Sequence, residues 1–215
     1  MKKTLFTAVL ILGIISLKAQ EIHFGVRLGG SFTKLKAIAL DSDAKDYVFD
    51  FNKQTSMKPN IELGAFAEVT LTDQIAVQPE FNFAGAGVTS KESYNNYDLT
   101  STVSLTYIQA PLLFKYYLND NISINAGPQL GLLMSAKEKT KLTGEDVDES
   151  DTDDVKKDYK STDFGFNLGG SYKMENGLFF DFRYYMGLSG VLKDNENWAD
   201  FKNNGLKFSI GYYFN

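Results

Sequence analysis

Gly205-Leu206-Lys207-Phe208-Ser209-Ile210-Gly211-Tyr212-Tyr213-Phe214-Asn215 is the stretch whose reading decides the fold. Successive side chains alternate across an extended strand. Leu206, Phe208, Ile210, Tyr212 and Phe214 therefore share one face, and Lys207, Ser209, Gly211 and Tyr213 share the other. The first face is apolar and ends in aromatics; the second is small or polar. This fits a core strand of a soluble domain, and it equally fits a strand of a membrane-spanning barrel with lipid outside and polar side chains inside. In the second case the strand pairs with the first one to close a ring, and the rest of the chain repeats its pattern.

Alternation does recur, giving eight strands in all. About Ile22–Thr33, Phe24, Val26, Leu28 and Phe32 oppose Gly25, Arg27, Gly29 and Ser31. About Asn60–Leu71, Ile61, Leu63, Ala65, Ala67, Val69 and Leu71 oppose Glu62, Gly64, Phe66 and Glu68. About Ile75–Val88, Ile75, Val77, Phe81 and Phe83 oppose Gln78, Glu80 and Asn82. In the fourth, about Thr102–Leu118, Leu112, Phe114 and Tyr116 oppose Lys115, while Leu105 and Tyr107 have the wrong parity; a bulge near Pro111 would repair the register. The fifth, about Ile122–Ser135, sets Ile122, Ile124, Leu130 and Leu132 against Ser123, Asn125, Gln129 and Gly131. The sixth, about Ser161–Lys173, sets Phe164, Phe166, Leu168 and Tyr172 against Asp163, Gly165, Asn167, Gly169 and Ser171. The seventh, about Leu178–Leu188, sets Phe180, Phe182, Tyr184 and Met186 against Asp181, Arg183 and Gly187.

Connections alternate short and long. Thr72-Asp73-Gln74, Asn119-Asp120-Asn121 and Glu175-Asn176-Gly177 are tight turns. Lys34–Lys58, Thr89–Ser101, Ala136–Lys160 and Ser189–Asn204 are long and polar. This asymmetry predicts an all-β fold: an eight-stranded antiparallel up-and-down transmembrane β-barrel with short periplasmic turns and long extracellular loops. The rival is a soluble lipocalin-type barrel with the Phe/Tyr/Leu face inward. Glycine on the polar face suits a crowded interior better than a solvated exterior. Phe24, Tyr116, Tyr172, Phe180, Tyr212 and Phe214 cluster beside the short turns, where an interfacial aromatic belt sits. The chain also ends on an aromatic strand rather than a helix.

Composition agrees with strands and turns. The chain has 215 residues, enough for one domain or at most two. It is 14% aromatic, with 12 Tyr and 17 Phe, and its 18 Gly outnumber its 4 Pro. A net charge of -5 with no basic stripe argues against nucleic acid as a partner. Cysteine is absent, which excludes a disulfide scaffold, a Cys-ligated zinc, a thiol nucleophile and a lipid-attachment cysteine. Met1–Ala19 reads as a signal peptide, with Lys2 and Lys3 before an apolar Leu5–Leu17 and a Leu17-Lys18-Ala19 cleavage site. That leaves 20–215 as the barrel domain; outside the N-terminus no apolar run is long enough for a membrane helix.

Three segments carry a family resemblance: Val77-Gln78-Pro79-Glu80-Phe81, Tyr107-Ile108-Gln109-Ala110-Pro111-Leu112-Leu113-Phe114-Lys115-Tyr116, and Gly127-Pro128-Gln129-Leu130-Gly131. Together they resemble the Q-P-E, Y-x-x-x-P-L-L-x-K-Y and G-P-x-x-G segments of the porin-family outer-membrane β-barrel domain, also called PorT-like. The resemblance covers essentially Gln20–Asn215, and Asn215 follows Phe214 where that family commonly ends in Phe. It implies an outer-membrane location, outer-membrane lipid as a partner, and barrel-assembly and periplasmic chaperone machinery during biogenesis. It implies a fold more than an activity.

Charged residues on the interior parity are Arg27, Glu62, Glu68, Glu80, Lys115, Asp163, Asp181, Arg183 and Lys207. Eight strands enclose a space that side chains just fill, and unpaired burial of charge costs several kcal/mol. A structural plug is therefore expected, with Arg27 paired to Glu68; a narrow ion path is the alternative. His23, the one histidine, begins the first strand at the periplasmic rim, away from where a catalytic base is wanted. No catalytic residue, cofactor or metal site is assigned. Within Gly144–Asp158, acids alternate without an EF-hand's central Gly and terminal Glu, and a solvated mobile loop is expected. Trp198 reads as an exposed loop contact or as rim packing.

Overall fold

The computed structural model describes residues 21–43, 45–145, 147–193 and 199–214. The expected signal peptide and Trp198 lie outside the described residues. Nine strands are described: β1 (Ile22–Ala39), β2 (Thr55–Thr72), β3 (Ile75–Tyr94), β4 (Tyr97–Tyr117), β5 (Ile122–Thr143), β6 (Asp148–Asp154), β7 (Thr162–Lys173), β8 (Leu178–Gly187) and β9 (Ala199–Phe214). A helix, α1 (Lys45–Gln54), joins β1 to β2. All pairings are antiparallel. The order β4-β3-β2-β1-β9-β8-β7-β5, closed by β4 against β5, makes a ring of eight, while β6 pairs only with the far end of β5.

Closure follows from the terminal stretch. β9 lies against β1 from Phe24↔Phe214 to Ala39↔Ala199 and against β8 from Leu178↔Tyr212 to Met186↔Asn204. Its polar parity points in: Lys207, Ser209 and Tyr213 are buried, while Phe208, Ile210, Tyr212 and Phe214 are exposed. The other strands repeat this, and Phe81 is 61% exposed where its neighbour Asn82 is 0% exposed. The wide apolar surface outside and the polar interior are the reverse of the lipocalin-type arrangement. Phe24, Tyr116, Tyr172, Phe180, Tyr212 and Phe214 all lie on the outer face, 42–59% exposed.

Strands run further on the long-loop side than alternation suggested. Thr89–Ser101 is no loop: β3 and β4 stay paired out to Tyr94↔Tyr97 and turn through Asn95-Asn96. Asn95 has φ 52°, a left-handed conformation that asparagine tolerates. Within Ala136–Lys160, β5 continues to Thr143 and returns as β6, the segment expected to be a mobile acidic loop. Lys141 Nζ and Asp148 Oδ1 stand 2.9 Å apart in that hairpin. A β3-β4-β5-β6 wall thus rises beyond the ring. In Lys34–Lys58, α1 packs Val48 against Ala37 and Ala199. Asn52 Nδ2 donates to Ala37 O at 2.9 Å and Asn52 Oδ1 accepts from Ala37 N at 3.0 Å, standing in for a strand neighbour.

The bulge expected near Pro111 is not there. Leu105, Tyr107, Gln109, Leu113 and Lys115 keep one parity and all are buried. Leu105 and Tyr107 look misplaced only if the lumen is polar throughout, and its outer third is apolar. The irregularity is on β5 instead: Thr106 faces Ser135 and Tyr107 faces Leu133, leaving Met134 extra. It falls where β5 exchanges β7, paired up to Leu132↔Thr162, for β6, paired from Lys137↔Asp154.

Candidate functional site

The lumen is stacked in layers, each built from inward positions on several strands. At the short-turn end Phe66, Phe179 and Tyr213 pack edge to face with ring centroids 4.9–5.4 Å apart. Beside them Lys115 Nζ lies 2.6 Å from Glu68 Oε2 and donates to Tyr213 Oη at 2.8 Å. The Tyr117 and Tyr213 hydroxyls also donate to Glu68, at 2.5 and 2.8 Å.

The next layer is centred on Glu80. Its carboxylate receives Arg27 Nη1 at 2.8 Å, Arg183 Nη1 at 3.0 Å and Nη2 at 2.8 Å, Gln78 Nε2 at 2.6 Å and Asn82 Nδ2 at 2.9 Å. Asp181 Oδ1 sits 2.7 Å from Arg183 Nε and 3.4 Å from Arg27 Nη2. Arg27 Nη2 also donates to Ser209 Oγ at 2.6 Å and pairs with Glu62 Oε1 at 3.2 Å. Two guanidiniums and three carboxylates thus share one plane of charge-assisted contacts.

Glu62 connects this layer to Lys207, whose Nζ is 3.0 Å from Glu62 Oε2. Lys207 also donates to Gln109 Oε1 at 2.9 Å and Gln129 Oε1 at 3.2 Å. Further out, Asp163 accepts from Asn203 Nδ2 at 2.9 Å, Tyr185 Oη at 3.1 Å and Ser189 Oγ at 3.3 Å. Above that lies an apolar cap of Leu35, Val88, Leu105, Leu133, Tyr159 and Val191. Tyr159 belongs to the segment between β6 and β7; burial first, then the carboxylates of Glu138 and Asp158, push its hydroxyl up to about 12.

The nine interior charges read from parity are all buried. They do not pair as expected at one point: Arg27 meets Glu62, Glu80 and Asp181, whereas Glu68 meets Lys115. Arg27 stands opposite Gly64 across the β1–β2 pair, and Glu68 stands opposite His23, four positions nearer the short turns. Four cations, Arg27, Lys115, Arg183 and Lys207, face five carboxylates, Glu62, Glu68, Glu80, Asp163 and Asp181. Tyr185 and Asn203 do not stand out in the sequence, and Tyr107 stands out there only for its wrong parity. Tyr185 shares parity with Asp181 and Arg183, which was the available signal.

The acids of β6 alternate across a strand, so Glu149, Asp151 and Asp153 face away from Asp148 and Asp154 and do not converge. Among the described residues no group of three or more His, Asp or Glu side chains is arranged to hold a metal.

Residues 18–193 match the family model described as "Outer membrane protein beta-barrel domain". Similar solved structures include Neisserial surface protein A, at 13% identity over 89% of this chain and 97% of that one, with a TM-score of 0.49. Ail, the attachment invasion locus protein of Yersinia pestis, solved with a heparin analogue, is 14% identical over 90% and 99% of the two chains, TM-score 0.45. OprG of Pseudomonas aeruginosa is 14% identical over 89% and 95%, TM-score 0.44. No curated protein matches the sequence.

Proposed function

The chain belongs to the outer membrane protein β-barrel domain family and resides in the outer membrane, and from that membership we propose that it is a non-enzymatic barrel closed by its own side chains, with a structural or surface-interaction role. The observation that supports this reading is the succession of buried layers in the lumen, from the Phe66–Phe179–Tyr213 cluster through the charged layers to the cap of Tyr159 and Val191. A permeating ion would have to displace Arg27 and Arg183 from Glu80 and Asp181, and separating buried ion pairs costs about 3–5 kcal/mol per lost partner. Contacts with other molecules then fall to the parts beyond the ring: the β3-β4-β5-β6 wall, α1 and the segment around Tyr159.

Export through Met1–Ala19, and handling by periplasmic chaperones and barrel-assembly machinery, belong to the same proposal. N-terminal sequencing of the mature protein is expected to start at Gln20. His23 supports a structural place rather than a catalytic one: its Nε2 is 3.7 Å from Glu21 Oε2 at the short-turn end. Single-channel recording in planar bilayers tests the closed lumen. No conductance steps are expected from the folded protein; reproducible ohmic steps would establish the alternative, a narrow channel or porin-like transporter.

A further inference from the structure

Above the polar layers the outer mouth holds a cavity of about 240 Å³. Leu35, Phe51, Val88, Val103, Leu192 and Phe201 form most of its surface. At about 30 Å³ of liquid volume per water it has room for about eight waters, or a compact apolar group of similar size. Phe51 of α1 meets Phe201 of β9 edge to face, centroids 5.1 Å apart, which ties the helix over one side. Glu138 of β5 stands in the opposite wall with Ser101 of β4, whose Oγ donates to Glu138 Oε1 at 2.6 Å.

That bond is the only one the Glu138 side chain makes among the described residues, and no Lys or Arg pairs with it there. A half-buried carboxylate accepts about four hydrogen bonds and gains most from a cation. A second cavity of about 400 Å³ adjoins the first, sharing Phe51 and Ser90, and adds Asp50 and Glu92. Neither cavity is lined by a lysine or arginine. The outer approach is therefore acidic and the inner surface apolar and aromatic. Carboxylates at a recess raise the local concentration of cations, and aromatic faces accept an ammonium group.

We propose that this mouth binds a small cationic amphiphile, an apolar body carrying a primary ammonium group, with the body among Phe51, Val103 and Phe201 and the ammonium beside Glu138. This goes beyond the surface-interaction reading and rests on it only in that the cavity is closed from below.

Isothermal titration of the detergent-folded protein with 4-phenylbutylamine, against a detergent blank, tests it, with 4-phenylbutanol as the uncharged counterpart. Saturable one-to-one binding of the amine is expected. Glu138→Gln should weaken the amine by about tenfold, the worth of one charge-assisted bond, and leave the alcohol unchanged. Val103→Trp should abolish amine binding by filling the cavity while heat-modifiable migration persists. If that variant fails to fold, Ser90→Trp, on the wall above the ring, replaces it. Equal effects of Glu138→Gln on both probes, undiminished binding to the filled variant, or no saturable binding at all would overturn the proposal. A conducting barrel that still binds the amine at Glu138 would overturn only the closed lumen; a silent barrel that does not bind it would overturn only the pocket.

Discussion

Arg27 on β1 and Glu80 on β3 meet across the lumen, Nη1 to Oε2 at 2.8 Å, although β2 lies between their strands. The intervening strand contributes Gly64, opposite both Arg27 and Asn82. A Cβ there would stand 1.8 Å from Asn82 Oδ1, so the missing side chain is what leaves room for the crossing. Glu80 holds Arg183 of β8 as well, four places away around the ring, which makes it the carboxylate that β1 and β8 share.

Glu80→Gln is accordingly the most damaging single lumen change expected. It keeps the shape and removes the charge shared by Arg27 and Arg183, with an expected loss of about 3–5 kcal/mol in refolding stability in detergent. Adding Arg183→Met should restore part of it by removing one stranded cation. Denaturant midpoints report both; a Glu80→Gln protein as stable as the parent would show that the shared carboxylate carries little.

The separation of Arg27 from Glu68 predicts how mutations combine. Arg27→Met and Glu68→Gln have no partner in common, so their effects should add to within about 0.5 kcal/mol. Lys115→Met with Glu68→Gln should be coupled by about 0.5–3 kcal/mol, since that pair is in direct contact. Two double-mutant cycles measure this, and a larger coupling in the first cycle than in the second would mean the layers are drawn wrongly.

Phe81→Arg should lower folded yield in bilayers, because a lipid-facing Arg near the midplane costs roughly 2–4 kcal/mol. Asn82→Arg, the natural contrast from sequence alone, is no silent control: Asn82 is fully buried against Glu80. Thr152→Arg on the exposed β6 serves better, with an expected change within about 0.5 kcal/mol. Equal losses at positions 81 and 152 would argue that Phe81 does not face lipid.

Gly87 lies just below the last rungs of the β2–β3 pairing, Met57↔Val88 to Thr55↔Ser90. Its φ is +143°, and a Cβ there would come 2.0 Å from the Val103 carbonyl oxygen. Gly87→Ala is expected to open the β3–β4 ladder locally, with faster amide exchange from Val88 to Tyr94 and little change near Ile75. Unchanged exchange above position 87 would contradict that role.

Parity made the barrel legible because lipid and lumen impose opposite demands on neighbouring residues, and each embedded strand records them. Phe81 beside Asn82, or Phe182 beside Arg183, leaves little choice. Beyond the membrane both faces meet water and the alternation disappears. Thr89–Ser101 and Ala136–Lys160 therefore read as loops, although β3 and β4 run into the first and β5 and β6 into the second. Interior charges were legible as a set, their partners were not. Partnering depends on height within the ring, and height depends on strand register, which gave Arg27 Gly64 rather than Glu68 as its neighbour. Leu105 and Tyr107 misled for a third reason: an apolar cap inside the barrel imitates a lipid face.

The wall has a mechanical consequence. From Asp98 to Ser104, β4 is paired on both edges, with β3 and with β5, and continues without a break into the embedded part of the same strand. Those seven residues rise about 23 Å, at ~3.3 Å per residue. A pull on the Asn95-Asn96 turn runs along the strand axes and loads every rung of the ladder in shear at once. The same pull applied sideways to β6, which is held on one edge only, would undo its seven pairs one after another. Single-molecule traction from the turn should therefore rupture at a higher force than traction on β6, and the reverse order would show that the wall is hinged at its base rather than rooted in the barrel.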